Sequence, residues 1–268
     1  MDFPTVEINR LDFAPLGSAN YGLQVSCQNT AHAKGDWQKL ATVPFDSKMA
    51  MLFFGDCHNK RFLVDIGTGP SGSIATVIPN LLVAAATSNH IASHAMVPVS
   101  ATNSEEVWAR AQGHTTGSAS CRIGVGFFDG GFGEPPMGRA ETYGVSVDST
   151  MGTLIDPGAI ASTEGAWSEV ASQTTISGRW MLLTVNNNQN TADANENYFL
   201  TIGMGPAGSE ILLMRDIFLQ GSTADNKYPA TIALRASIPS SVRLAARARS
   251  GGTNATDRIF EIGVTVIE

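Results

Sequence analysis

The stretch Phe62-Leu-Val-Asp-Ile-Gly-Thr-Gly-Pro-Ser-Gly-Ser73 returns later in the chain as Tyr198-Phe-Leu-Thr-Ile-Gly-Met-Gly-Pro-Ala-Gly-Ser209. Other echoes keep the same order. Tyr21-Gly22 pairs with Tyr143-Gly144, Gly35-Asp-Trp37 with Gly165-Ala-Trp167, and Met51-Leu52 with Met181-Leu182. Ala109-Arg-Ala111 pairs with Ala246-Arg-Ala248, and Ile123-Gly-Val125 with Ile262-Gly-Val264. Each unit is too long for a solenoid repeat and has the size of an independently folding domain. The sequence therefore reads as a duplicated domain: a short N-terminal arm at 1–18, a first repeat at 19–128, a Gly/Pro-rich linker at 129–138 and a second repeat at 139–268.

Within each repeat the local pattern is that of strands. Met49-Ala-Met-Leu-Phe-Phe54 and Trp180-Met-Leu-Leu-Thr-Val185 are short apolar runs bounded by turn residues. Arg243-Leu-Ala-Ala-Arg-Ala-Arg249 alternates, with the arginines on one face and Leu244, Ala246 and Ala248 on the other. Phe260-Glu-Ile-Gly-Val-Thr-Val-Ile267 reads as a closing strand. Long helix-period segments are almost absent, and Pro79 argues against a helix at Val77–Val83. The expectation is all-β: two tandem β-sandwiches of the jelly-roll kind.

Composition narrows the function. A net charge of −7 over 268 residues argues against general nucleic-acid binding. No apolar run approaches the length of a membrane-spanning helix, so no membrane insertion is expected, and Met1-Asp-Phe-Pro4 lacks the pattern of a secretory signal. Cys27, Cys57 and Cys121 all fall in the first repeat, so the shared fold does not rest on disulfides, and synthesis in a reducing cytoplasm fits.

Gly67, Gly69 and Gly72, and equally Gly203, Gly205 and Gly208, satisfy G-x-G-x-x-G, but strand-like segments follow and no βαβ unit surrounds them. They read as structural turn glycines rather than a cofactor site, and no cofactor is expected. His32, His58, His90, His94 and His114 lack zinc-ligand spacing, so no metal is expected. No nucleophile elbow or triad is visible, and the second repeat has neither His nor Cys, so no catalytic residue and no enzymatic activity are expected. Arg243, Arg247 and Arg249, with Arg235 on a nearby strand, form a cationic row that reads as the candidate partner-binding face or as a charge-guarded strand face. Trp37 and Trp167, equivalent in the two copies, read as plugs at the ends of the cores, with sugar stacking as the alternative.

With Val64-Asp-Ile-Gly-Thr-Gly-Pro-Ser-Gly-Ser73 followed by Val77-Ile-Pro-Asn-Leu-Leu82, the chain resembles uncharacterised structural proteins of tailed bacteriophages and prophages. Repeat two departs from the pattern at Thr201 and at Arg215-Asp216. The resemblance implies a non-enzymatic virion component of tail, baseplate, fibre or capsid surface. It would contact other virion proteins, form a symmetric homo-oligomer and bind no cofactor. A carbohydrate- or receptor-binding module at a tail tip, meeting host surface glycan with the Asn186–Asn197 loop, is the alternative. A glycan-degrading enzyme stands third.

Overall fold

A computed structural model describes residues 11–13, 22–55, 61–83, 91–97, 100–117, 119–129, 138–187, 197–220, 230–251 and 260–268. These residues form 19 strands in four antiparallel sheets, with no α-helix among them. The all-β expectation holds. The first sandwich has one sheet centred on β9 (Ser120–Phe128) and β4 (Met49–Gly55). Strands β1 (Leu11–Phe13) and β2 (Leu23–Ser26) flank β9, and β7 (Ile91–Val97) flanks β4. The facing sheet runs β3 (Gln38–Thr42), β8 (Glu106–Gly113), β5 (Phe62–Thr68), β6 (Ala75–Val83).

The second sandwich repeats this plan. Strand β19 (Phe260–Ile267) lies beside β14 (Gly178–Asn187), with β10 (Ala140–Tyr143) and β12 (Met151–Ile155) on its other side. Strand β11 (Val145–Ser146) edges β12, and β17 (Ala230–Ile238) edges β14. The facing sheet runs β13 (Ser168–Ala171), β18 (Leu244–Ser250), β15 (Asn197–Met204), β16 (Ile211–Gln220). Interleaving early and late strands across two sheets in this way is the jelly-roll arrangement. Leu11–Phe13, placed in the arm by the sequence, pairs with β9 and belongs to the first sandwich. Residues 130–137 of the expected linker, 188–196 of the expected loop, and Cys57, His58 and His90 lie outside the described residues.

Period-2 alternation builds each interior. On β5, Phe62, Val64 and Ile66 enter the first core, while on β19, Phe260, Ile262, Val264 and Val266 enter the second. The two copies also share backbone strain. His32 (φ 61°) matches Ser162 (60°), Asn80 (52°) matches Asp216 (57°), and Ser104 (69°) matches Ser241 (63°). All six are non-glycine residues in the left-handed region, which few such residues adopt. The glycine turns agree as well: Ser73 N donates to Pro70 O at 2.9 Å, and Ser209 N to Pro206 O at 3.0 Å. Strands follow both turns, and no helix opens there.

Register corrects two echoes. Leu52 pairs with Val125, and Leu183 with Val264, so the partner of Leu52 is Leu183 and not Leu182. The one-residue shift moves every side chain of β14 to the opposite face. Likewise Gly22, next to Leu23 opposite Ile123, corresponds to Gly152, next to Thr153 opposite Ile262, rather than to Gly144.

The outer face of the β19–β14 sheet packs against the edge strands β6 and β7 of the first sandwich. Leu82 sits over Gly152 and Gly263: a Cβ on Gly152 would come within 2.9 Å of its Cδ2, and one on Gly263 within 3.2 Å of its Cβ. Polar contacts surround this apolar seat. Gln112 Nε2 donates to Thr150 Oγ1 at 2.9 Å and also to Val147 O, His32 Nδ1 lies 2.9 Å from Thr150 Oγ1, and Thr142 donates to Pro79 O. Arg61 Nη1 meets Glu261 Oε1 at 2.5 Å, and Gly152 N donates to Glu261 Oε2 at 3.2 Å.

Burial pushes the Glu261 carboxyl above its ordinary range, and Arg61 and the Gly152 amide offset only part of that rise. A carboxyl whose folded pKa exceeds its unfolded value favours the folded state below the unfolded pKa, and this contribution fades as pH rises through the folded pKa. We therefore expect the melting temperature of the native protein to gain on that of Glu261→Gln as the buffer is taken from about pH 7 to about pH 5. Thermal melts of both proteins across that range check it; parallel curves would refute the assignment.

Candidate functional site

The duplicated chemistry lies on the outer faces of the β3–β8–β5–β6 and β13–β18–β15–β16 sheets. The inward positions are Val107, Ala109 and Ala111 on β8 and Leu244, Ala246 and Ala248 on β18, so the residues between them point outward. In the first copy the Arg110 guanidinium lies 4.6 Å from the centroid of the Trp37 ring. In the second, Arg247 lies 4.5 Å from that of Trp167. The first glycine of each G-x-G-x-x-G makes room for the indole. A Cβ on Gly67 would stand 3.0 Å from Trp37 Cη2, and one on Gly203 2.9 Å from Trp167 Cη2. Gly67 and Gly203 are thus strand residues rather than turn residues, whereas Gly69, Gly72, Gly205 and Gly208 have positive φ and serve the bend. Neither tryptophan plugs a core end; both are half-buried and lie under a cation on the outer surface.

Beneath the shared clamp the charges differ. Asp65, 1% exposed, accepts from Lys34 Nζ at 2.5 and 2.6 Å, from Arg110 Nε at 2.8 Å and from Asn80 N at 2.8 Å. Lys34 Nζ also donates to Asn80 Oδ1 at 2.7 Å. In the second copy Thr201 stands at the Asp65 position, its hydroxyl buried without a hydrogen-bond partner among the described residues. The counter-ion moves instead: Gly35 N donates to Ala111 O and Gly165 N to Ala248 O, so Lys34 corresponds to Glu164, which pairs with Arg247. Loss of the acid at 201 is compensated by its gain at 164. Both changes stand in the sequence echoes, since Lys34 and Glu164 precede the matched Gly35 and Gly165; only the contact of Glu164 with Arg247 needed the fold.

The four arginines of the expected cationic row do not form a free row. Arg243 Nε lies 2.9 Å from Glu169 and Nη1 2.9 Å from Glu210. Burial disfavours its charge, yet the hydrogen bonds it donates to these carboxylates raise its pKa above the ordinary value. Burial also works to raise the Glu210 pKa, but the backbone amides and Arg243 pull it below the ordinary range. Arg249 Nη2 lies 3.0 Å from Asp216, with its guanidinium 4.7 Å from the Phe199 ring centroid. Arg235 is exposed on β17, opposite Trp180 and in the other sheet of the sandwich. The structure brings Arg243, Arg247 and Arg249 to one face, each holding its own carboxylate, and leaves Arg235 apart.

A cleft of about 590 Å³ opens between the end of β2 and the start of β3, lined by Ser26, Cys27, Gln28, Asn29, Thr30, Gly35, Asp36 and Gln38. Gln28, Asn29, Thr30 and Asp36 are exposed. With its amide oxygen and nitrogen exchanged, Gln38 satisfies both ends on the β2 backbone, the nitrogen reaching Gln24 O at 2.9 Å and the oxygen accepting from Ser26 N at 2.8 Å. A second cleft, of about 530 Å³, carries Arg179 and Glu268. Among the described residues no group of three or more His, Cys, Asp or Glu side chains is placed to hold a metal ion. The first cleft leaves no mark in the sequence because Gln28-Asn-Thr30 and Asp36 form no spaced motif; they meet only when β2 and β3 are brought together.

No family model matches the chain, and no curated protein matches it. Among solved structures it is similar to PNGase F, a glycosylasparaginase from Flavobacterium meningosepticum, at 13% identity and a TM-score of 0.35. A structure of recombinant N-glycanase F gives 12% and 0.38, and both cover 91% of this chain and 95% of the other. The PBSX exported protein XepA gives 8% and 0.23 over 97% of this chain and 87% of the other. The infectious bursal disease virus VP2 subviral particle gives 9% and 0.27 over 99% and 73%. These comparisons correct the expectation of a non-enzymatic phage-particle component. Two of the structures belong to an N-glycanase, nearer to the glycan-degrading alternative, and the viral and exported-protein likenesses are weaker. At such TM-scores the activities stay with those proteins.

The clamp makes its own prediction. Gly203→Ala drives a methyl into Trp167 and should cost about 1–3 kcal/mol, the range for overpacking. Most of that cost should vanish in a Trp167→Ala background, because the obstructing ring is gone. Denaturant unfolding of the four members of this double-mutant cycle measures it, and additive effects would reject the clamp.

Proposed function

We propose that this protein binds carbohydrate, with the cleft between β2 and β3 as its site. The observation that carries the reading is the lining of that cleft, which contains amide, hydroxyl and carboxylate groups and no Lys or Arg. Such a set suits a neutral polyol, whose hydroxyls donate to carboxylate and carbonyl oxygens and accept from amide N–H groups. It does not suit a phosphate or sulfate, which would require a cation. A volume of about 590 Å³ lies within the range of ligand sites.

Binding is favoured over cleavage by one feature. Glycosidase chemistry sets two carboxyl groups across the scissile bond, and this cleft is lined by Asp36 as its sole acid. Glycan-array screening followed by calorimetry tests the proposal. Saturable binding to a neutral glycan is expected, with Asp36→Asn and Gln28→Ala each weakening it about tenfold, equivalent to about 1.4 kcal/mol. Absence of binding by the native protein, or variants that bind as well as it does, would overturn it. Release of free sugar or of deglycosylated peptide from the same glycans would replace binding with cleavage.

A further inference from the structure

We propose that the outer face of the β15–β16 pair docks a second copy of this chain. The first sandwich of that copy would cover the face in the way that the second sandwich covers β5–β6 within one chain. The register defines the comparison. Leu63 lies opposite Leu82 on β5–β6, and at the same place on β15–β16 Phe199 lies opposite Phe218. The leucines are fully buried, with the second sandwich over Leu82. Phe218 is 56% exposed, its ring 5.6 Å from that of Phe199.

A face released to solvent after duplication would be expected to lose apolar bulk. This one has gained it. Besides the two phenylalanines in place of leucines, Leu212, opposite the outward-facing Gly203, stands where the first copy has Thr76. Leu212 is 42% exposed, and all three residues lie on β15 or the edge strand β16, where uncovered apolar side chains and free backbone groups invite association.

The matching half of the contact is retained in the first sandwich. Leu82 seats on Gly152 and Gly263, and the residues at those two positions in the first copy are Gly22 and Gly124. The ion pair beside the seat has also changed on both sides. Arg61 becomes Asn197 and Glu261 becomes Arg122, so the repeated contact would set an amide against a cation and meet no like charge. A head-to-tail contact of this kind either closes into a ring or continues as a filament.

Sedimentation velocity over a dilution series tests the proposal. The native chain should run as a dimer or larger species. Phe218→Asp and the uncharged Phe218→Ser should run as monomers with unchanged circular dichroism. A native chain monomeric throughout, or variants with native mass, would overturn it. Phe218→Cys combined with Gln24→Cys should form an interchain disulfide on mild oxidation, above the level of the native chain. Phe218→Cys alone should not, and self-linking of that single variant would show a two-fold, face-to-face pairing and reject the head-to-tail contact.

Discussion

The seat of Leu82 on Gly152 and Gly263 sets how the two sandwiches meet. A side chain can press so close to a sheet only where the sheet lacks Cβ atoms, so the two glycines fix position as well as permit it. Around that apolar point the interface must account for every polar group it buries, since an unpaired one costs free energy comparable to a lost hydrogen bond. Gln112, Thr150, Thr142 and the Arg61–Glu261 pair do so with named partners. The Glu261 carboxyl remains the strained member, because a desolvated charge is repaid only in part by one guanidinium and one amide.

Duplication fixed the backbone more firmly than the side chains. Three matched pairs of left-handed non-glycine residues persist although the residue types differ at two of them. The ionic network under the tryptophan clamp was rebuilt instead: Lys34 and Asp65 in one copy, Glu164 and Thr201 in the other, each arrangement leaving its arginine a carboxylate. The two outer faces are therefore alike in shape and different in charge. A ligand recognised by one has no reason to be recognised by the other.

How much of this could be read beforehand follows from which signals are local. Alternation and turn glycines are local, and they delivered the all-β fold and the strand after each G-x-G-x-x-G. Register is not local. The echo Met51-Leu52 with Met181-Leu182 looked exact as letters yet is one residue out of step, because a β-ladder is aligned by its partners and not by its own string. Alternation sets Arg243, Arg247 and Arg249 on one face, but Arg235 belongs to the other sheet, and the carboxylates of the three come from Glu164, Glu169, Glu210 and Asp216, none next to them in sequence. The proposed cleft joins Gln28 and Asp36 across a turn whose shape depends on the pairing of β2 with β9, and no short motif encodes that.

In each sandwich the strand that binds the most neighbours is the last to be made. Strand β9 pairs with β1, β2 and β4, and β19 with β10, β12 and β14. Such non-local pairing makes assembly slow, since loops must close before their contacts give any return. On the ribosome the first sandwich can close once Phe128 emerges, while the second must wait open for Phe260–Ile267. The unfinished half then faces a completed neighbour whose Leu82 edge is ready to receive it, so the order of synthesis itself would guide the chain to its own second half before any other molecule.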